Sequence, residues 1–311
     1  MKKKMINQVH GEGYLYEHTL AHKKSKKGVG YIGGTISIAT DEECTNIIKF
    51  EFPYVVPVYS KSGKPNPNYK LLDNIINGAA NSVMSGGKES ALKLRIDSAI
   101  ELNEWYDNNG DLVSNMRNSG GFVNTTQKFI EDEAKRNTFK TDILITGIFR
   151  KEANEETGEP EKAVVKGAIF DFTNSLLPIN LTVYKPSAME YFESLEPSAA
   201  KPVPTTVWGN INSQEIVRKY ETENAFGETL IEERTSSKRE YVITGASSVP
   251  YEWDSEDFIT ATELKEAMSN REIHLAEIKK NQEEYSKQSG TPSALETTAV
   301  NASAKKEEFV F

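Results

Sequence analysis

The sequence predicts a mainly β protein: two OB-fold-like five-stranded barrels, followed by a long amphipathic helix and a disordered C-terminal tail. Three observations lead to this class. Apolar and polar residues alternate with period two through most of the first 250 positions, which is typical of strands with one buried face. The same order of strands and one short helix occurs twice. Beyond residue 256 the spacing becomes helical and then loses its apolar period.

The first half is predicted to contain five strands and one helix. Residues 31–40 alternate most clearly, with three isoleucines on one face. In residues 46–58 the alternation places Phe50, Phe52 and Tyr54 on one face, and both phenylalanines are assigned to the core. The remaining predicted elements are strands at 13–20, at 91–105 and after the turn 107–111, and a helix at 69–77.

The second half is predicted to follow the same order. Its strands are predicted at 142–150, 163–172, 179–184 and 203–212, and its helix at 186–195, where Pro186 favours a helix start. A final hairpin is predicted from residues 228–234 and 239–246, with Ser236 and Ser237 at the turn.

Five short strands with one helix between the third and the fourth is the element order of the OB-fold, a small barrel that binds oligonucleotides. A β-sandwich and an SH3-like barrel are the alternatives, and the position of the helix favours the OB-fold. The predicted domains are therefore residues 1–137, with a basic N-terminal segment, and residues 138–256.

Residues 257–285 are predicted to form an amphipathic helix, with Thr260 and Glu263 spaced as a capping box. Its apolar stripe packs either on its own domain or on another chain. Residues 286–311 are mostly small and polar, so they are predicted to be a disordered tail. The tip carries Glu307, Glu308, Phe309 and Phe311, which are predicted to dock into a partner protein; the alternative is a ragged end with chance aromatic residues.

Composition excludes several classes of function. The net charge is −9, but the first 27 residues carry seven lysines against two glutamates, which is compatible with nucleic-acid binding. The single cysteine and four scattered histidines predict neither disulfides nor a metal site, and no cofactor is expected. Without an apolar run of membrane length or a signal peptide, we expect a soluble cytoplasmic protein with no membrane partner. No catalytic motif is present, so an enzyme is not expected.

Binding of single-stranded nucleic acid needs aromatic side chains for stacking and cations for the phosphates. The period-two pattern places several such residues opposite the aliphatic faces of their strands. The candidate contacts are the loop lysines Lys23, Lys24, Lys26 and Lys27; Tyr31, Lys49, Lys93, Arg95 and Trp105 in the first barrel; and Lys166, Phe170, Tyr184 and Trp208 in the second. The alternative is that these aromatic residues cover a barrel end or a domain interface.

The run GYIGGTISIATDEECTNIIKFEFPYV (residues 30–55), the repeated element order and the acidic, phenylalanine-ended tail resemble single-stranded-DNA-binding proteins of tailed bacteriophages. This resemblance implies coating of single-stranded DNA in replication, recombination or repair, in the host cytoplasm, with a tail that recruits replication or recombination proteins. The sequence departs from the bacterial form of such proteins, since Val310 replaces the penultimate proline. The two predicted barrels per chain make a monomer or small homo-oligomer sufficient.

Two other classes of protein remain open. A structural or assembly protein of a virion, built from β-barrels, would form large homo-oligomers and have no affinity for single strands. An enzyme such as an accessory nuclease would need a carboxylate cluster for metal on adjacent strands, and the sequence shows none.

Overall fold

The computed structural model describes residues 5–59, 62–78, 80–154, 159–222, 230–253 and 258–289, with the backbone alone at 214–222, 230–238 and 285–289. The prediction of a mainly β protein is confirmed. The strands are β1 (Asn7–His18), β2 (Ala21–Lys24), β3 (Gly30–Ala39), β4 (Ile47–Val55), β5 (Lys93–Tyr106), β6 (Leu112–Thr125), β7 (Asn137–Lys151), β8 (Lys162–Phe170), β9 (Leu176–Val183), β10 (Val203–Thr222) and β11 (Leu230–Ala246). The α-helices are α1 (Pro67–Ile76), α2 (Val83–Gly86), α3 (Pro186–Ser194) and α4 (Ala261–Ser289). None of these helices is long and apolar enough to cross a membrane.

Five strands of the first half form a closed circuit of hydrogen bonds. They pair in the order β1, β5, β6, β4 and β3, and β3 pairs back with β1. We call this circuit the first strand ring. Its β4–β6 pairing is parallel and its other pairings are antiparallel. β2 forms a short hairpin with β3, and α1 lies in the chain between β4 and β5.

Five strands of the second half pair in the same way. The second strand ring runs β7, β8, β9, β11 and β10, and β10 closes it on β7. Its parallel pairing joins β9 to β11, and α3 lies in the chain between β9 and β10. β1 also pairs with β7, which links the two rings. The boundary predicted between residues 137 and 138 lies at the start of β7, and the independence of the two domains stays a prediction.

The apolar faces of both rings share one core. Leu15, Ile38 and Phe50 are fully buried in the first ring, as are Ile143 and Leu181 in the second. Burial of each such side chain stabilises the fold by about 1.5–3 kcal/mol. The alternating residues of the sequence therefore do face the core as predicted, over most of each strand.

The prediction that Tyr54 shares the core face with Phe52 is wrong, because Tyr54 is 51% exposed. Ile32 pairs with Val55, but Gly34 pairs with Phe52, so β4 carries one residue more than β3 over this stretch. An extra residue in one strand swaps the two faces beyond it. Val55 consequently occupies the inward position, and Tyr54 faces outward.

The hairpin predicted around Ser236 and Ser237 is also wrong. β11 runs through both serines without interruption and stays paired with β10, from Val207 opposite Ala246 to Thr222 opposite Leu230. Tight hairpin turns need residues that favour positive φ, such as Gly or Asn, and a serine pair does not supply them. The chain passes from β10 to β11 through residues 223–229, which lie outside the described residues.

α4 begins with the predicted capping box. The Thr260 hydroxyl accepts from the Glu263 backbone amide at 3.2 Å, and the Glu263 carboxylate accepts from the Thr260 amide at 2.9 Å. The helix continues to Ser289, so residues 286–289 belong to α4 and not to the predicted tail. Residues 290–311, including the predicted docking tip, lie outside the described residues.

The start of α4 packs on the outer face of the second strand ring. Phe258, Ile259 and Ala267 are buried there in a second apolar cluster with Phe170 and Leu176. Further along its length, α4 contacts the first strand ring. The Arg271 guanidinium donates to the Glu104 carboxylate at 2.6 Å, and the Tyr106 amide donates to Gln282 Oε1 at 3.0 Å. α4 therefore packs against both rings.

We expect Phe258→Ala to lower the free energy of unfolding by about 3–5 kcal/mol, the usual effect of truncating a buried phenylalanine. The aromatic ring of Phe258 stacks on that of Tyr251 and meets Phe170 edge-on, so its loss leaves a cavity beneath α4. Urea unfolding followed by circular dichroism measures the change. Ile273→Ala, within α4, is the control, since Ile273 is 56% exposed, and it should change stability by less than about 0.5 kcal/mol. Equal losses in both variants would contradict the packing of α4.

Candidate nucleic-acid interface

Two tyrosines, the half-buried Tyr31 and the exposed Tyr54, form an aromatic surface on the outer side of β3 and β4. The ring centroids of Tyr31 and Tyr54 are 4.6 Å apart, with an angle of 41° between the ring planes. Lys23 lies beside them, because it pairs with Tyr31 in the β2–β3 hairpin. We call Tyr31, Tyr54 and Lys23 the tyrosine patch.

Four of the predicted lysines lie in the hairpin of β2 and β3, next to Tyr31, and we call them the lysine hairpin. Lys23 and Lys24 are in β2, and Lys26 and Lys27 are in the turn between β2 and β3. The Gly28 amide donates to the Ser25 carbonyl at 2.9 Å, which holds this turn closed. All four lysines are exposed, and no carboxylate of the described residues forms an ion pair with them. Their charge is therefore available to an outside partner.

This arrangement suits single-stranded nucleic acid. A tyrosine face stacks with any base, since every base presents a π-face, and nearby lysines hold the phosphates. Phosphate contacts release counterions, so each one makes binding depend on salt. The tyrosine patch and the lysine hairpin combine both kinds of contact on one side of the first strand ring.

The other candidates of the first ring do not converge on the tyrosine patch. Lys49 is exposed on β4, in a groove of about 1120 Å³ between the two rings and α4, and lies roughly 16 Å along the strand from Tyr54. Lys93, Arg95 and Trp105 are all on β5, which β6 separates from β4. Since the strands close into a ring, side chains that point outward from β5 lie on another side of it.

Arg95 has a structural partner. Glu12 is fully buried in β1, and Arg95 Nε donates to its Oε1 at 2.5 Å, while the Ile130 amide donates to Oε2 at 2.7 Å. A buried carboxylate is costly unless it is paired and hydrogen-bonded. Arg95 therefore neutralises Glu12, a contact that the period-two pattern does not predict.

Lys93 is also engaged within the protein. Its Nζ lies 5.3 Å from the centroid of the Phe129 ring and 5.7 Å from that of Tyr14, which are cation–π distances. Trp105 is partly exposed near the end of β5. The binding of nucleic acid by Lys93, Arg95 and Trp105 stays a prediction.

In the second ring, Phe170 does face away from the core of the ring, but the prediction that it contacts DNA is wrong. Its side chain is only 1% exposed, because the outer face of β8 is covered by the residues that begin α4. Phe258 lies against it with ring centroids 6.2 Å apart. The sequence pattern identified the correct face, but not the helix that covers it.

The remaining candidates of the second ring lie apart from one another. Lys166 is exposed and its Nζ lies 4.6 Å above the Phe149 ring. The Tyr184 hydroxyl donates to the Glu240 carboxylate, which also pairs with Lys162 at 2.8 Å. Trp208 is 41% exposed on β10. Their roles in binding stay predictions.

Three residues that could contact nucleic acid were not predicted from the sequence. Tyr54 could have been found from Pro53, because proline inside a strand often marks a bulge. Phe149 follows a register shift between Ile145 and Gly147, where the glycine is a comparable signal. Lys140 pairs with Trp208 across two strands, and nothing in the local sequence indicates that contact.

Tyr241 and Glu42 are among the side chains with shifted pKa values. Burial raises the pKa of Tyr241 to about 12, and its hydroxyl donates to Asn118 Oδ1 at 2.7 Å. The hydrogen bond from Lys88 lowers the pKa of Glu42. Within the described ranges, no three His, Cys, Asp or Glu side chains are close enough to hold a metal ion.

Comparison with known proteins shows the family. The chain belongs to the YorF family, whose model matches residues 5–281. No curated protein matches the sequence.

Several solved structures are similar to this one. A deletion mutant of the single-stranded DNA binding protein from Thermus aquaticus is 9% identical, with a TM-score of 0.47, and the match covers 81% of this chain and 98% of that one. The wild-type form of that protein is 10% identical, with a TM-score of 0.45 and coverage of 79% and 93%. A replication protein A heterotrimer bound to single-stranded DNA is 8% identical, with a TM-score of 0.22 and coverage of 80% and 67%. Likeness at this level carries no argument about what this chain binds.

We expect Arg95→Ala to lower the free energy of unfolding by about 2 kcal/mol, because it leaves Glu12 buried without its cation. This is less than the ~3–5 kcal/mol typical of a fully buried pair, since Arg95 is half exposed. Urea denaturation measures the loss, and adding Glu12→Gln should restore part of it. Lys24→Ala removes an exposed, unpaired charge and serves as control, with a change within about 0.5 kcal/mol. Equal stability of Arg95→Ala and the control would show that the ion pair has no structural role.

Proposed function

We propose that this protein binds single-stranded DNA without sequence preference, through base stacking on the tyrosine patch and phosphate contacts from the lysine hairpin. The observation that carries the proposal is the Tyr31–Tyr54 pair beside four lysines without ion-pair partners among the described residues. Stacking and phosphate contact select single strands but do not read a base sequence. This role is that of a binding protein and not of an enzyme.

We further propose that each strand ring is an OB-like fold. Each ring has five strands in a closed circuit. When these five are numbered in chain order, a helix lies between the third and the fourth, and the third pairs in parallel with the fifth. OB-folds bind oligonucleotides on the face of their second and third strands and with the loop that joins the first and second. In the first ring these strands are β3 and β4, which carry the tyrosine patch, and that loop contains the lysine hairpin.

The second ring contributes differently. Its second and third strands are β8 and β9, and Ala168, Phe170 and Leu176 of their outer face lie beneath the start of α4, whereas Lys166 is exposed. We expect the first ring to contact roughly 4–16 nucleotides, the range for one OB-fold.

The wider role is proposed from the sequence. The protein acts in DNA replication, recombination or repair, as a monomer or small homo-oligomer in the cytoplasm, which for a phage protein is that of the host. Glu307, Glu308, Phe309 and Phe311 recruit a partner protein, since an acidic segment steers association and an aromatic side chain anchors it.

Binding of fluorescein-labelled oligo-dT, measured by fluorescence anisotropy at low salt, tests the proposal. We expect Tyr31→Ala and Tyr54→Ala each to weaken binding by about 5- to 150-fold, the equivalent of one stacked base at ~1–3 kcal/mol. Phe172→Ala is the matched control, since Phe172 is 84% exposed in the turn between β8 and β9, and it should leave the affinity unchanged.

Two results would count against the proposal. Absence of binding by the unmodified protein, together with large homo-oligomers on size-exclusion chromatography, would favour the virion structural protein instead. Binding that the tyrosine substitutions leave unchanged would place the interface elsewhere.

A further inference from the structure

A second concave surface lies where the two strand rings meet. It encloses about 720 Å³ between β1 and β5 of the first ring and β7 and β10 of the second, and we call it the junction cleft. Binding sites for small ligands typically enclose about 300–1,000 Å³. The junction cleft is separate from the face of β3 and β4 that carries the tyrosine patch.

Trp208 forms one wall of the junction cleft. Its indole lies across Gly245 on the neighbouring strand, where even a Cβ atom would overlap the indole nitrogen. Only glycine at 245 lets the indole lie this close to β11. One face of the Trp208 indole therefore packs on Gly245, and the side chain remains 41% exposed and lines the cleft.

A free cation lies next to this aromatic surface. Lys140 pairs with Trp208 across the β7–β10 ladder, is exposed, and lines the same cleft. Over the described ranges no carboxylate forms an ion pair with Lys140. Lys135, at the rim, lies 3.4 Å from Asp132 and is partly neutralised.

One buried polar atom of the cleft lacks a partner in the described part of the chain. This is Ser98 Oγ, and Ser98 lines the cleft. His10 also lines the cleft, but its two ring nitrogens face carboxylates: one lies 2.6 Å from Asp97 Oδ1 and the other 3.5 Å from Glu12 Oε1. Buried polar groups are nearly always hydrogen-bonded, so an outside group that reaches Ser98 Oγ gains a hydrogen bond.

We infer that the junction cleft holds one nucleotide of a bound single strand, with the base against Trp208 and its phosphate at Lys140. Ser98 supplies a hydrogen bond to the same nucleotide. The inference rests on the proposed function, but it adds a second contact region on strands that OB-folds do not ordinarily use for oligonucleotides. A free nucleotide has the same chemistry, so the test must separate it from a strand.

The test uses full-length protein in which Trp105→Phe and Trp253→Phe leave Trp208 as the only tryptophan. Its fluorescence is recorded during titration with dT20 and, separately, with dTMP, while anisotropy of labelled dT20 reports binding independently. We expect dT20 to quench Trp208 saturably and dTMP to do so only weakly. In the otherwise unmodified protein, Trp208→Ala should weaken dT20 binding by about 5- to 150-fold.

Lys140 provides a second variant that leaves the core intact. Lys140→Ala should reduce the slope of log K against log salt concentration by about 0.7, the value for one phosphate contact to a single strand, and Lys140→Arg should keep the slope. Lys201→Ala, another exposed lysine, is the control and should not change it.

The possible failures are distinguishable. If dT20 binds and Tyr31→Ala weakens it, but Trp208 fluorescence and the Lys140→Ala slope do not change, the inference is wrong and the proposed function stands. If dT20 does not bind at all, both are wrong. Saturable quenching by dTMP without quenching by dT20 would overturn the assignment to a strand and make the cleft a site for free nucleotides.

Discussion

The architecture depends on β1, which pairs with three other strands. A strand has two edges, and β1 divides one of them: residues 7–11 pair with β7, and residues 14–18 pair with β3. Its other edge pairs with β5 throughout the middle of the strand. The change of partner occurs around Glu12, whose amide donates to the Arg136 carbonyl at 2.7 Å and whose buried carboxylate is held by Arg95. β1 thereby closes the first strand ring and attaches it to the second, so the ion pair lies at the point where both rings meet.

The closure of the strands into rings explains why the period-two pattern predicted the strands better than it predicted the nucleic-acid contacts. Alternation tells whether a side chain points into a ring or out of it, and it did so correctly for Ile38, Phe50 and Tyr31. It cannot tell on which side of a closed ring an outward residue lies, because that depends on pairings between distant strands. Arg95 points outward as predicted, but it lies on β5 and compensates Glu12. The sequence predicted the order of strands and helices along the chain, but not which strands pair to close each ring.

Two local effects limited the prediction further. One extra residue near Pro53 reverses the faces of β4, and so Tyr54 joins Tyr31 on the surface instead of entering the core. Phe170 lies on the predicted face, but Phe258, 88 positions later in the chain, covers it. Contacts between such distant segments leave no signal in the local alternation of either one.

The two rings share a strand order but differ in what their outer faces contact. α4 and the residues just before it cover part of the outer face of β8 and β9, around Phe170, and α4 reaches β5 through Arg271 and Gln282. The corresponding face of β3 and β4 carries the tyrosine patch and the lysine hairpin. The position of α4 thus distinguishes two rings of similar topology.

Ultraviolet cross-linking of oligo-dT to the intact protein, followed by peptide mapping, shows whether bases stack on the tyrosine patch. Stacked bases form adducts with the aromatic residues that they contact. We expect adducts at Tyr31 and Tyr54, and fewer of them as salt displaces the strand. Adducts that spare both tyrosines and map instead to β5 or to Phe149 would contradict stacking on the tyrosine patch.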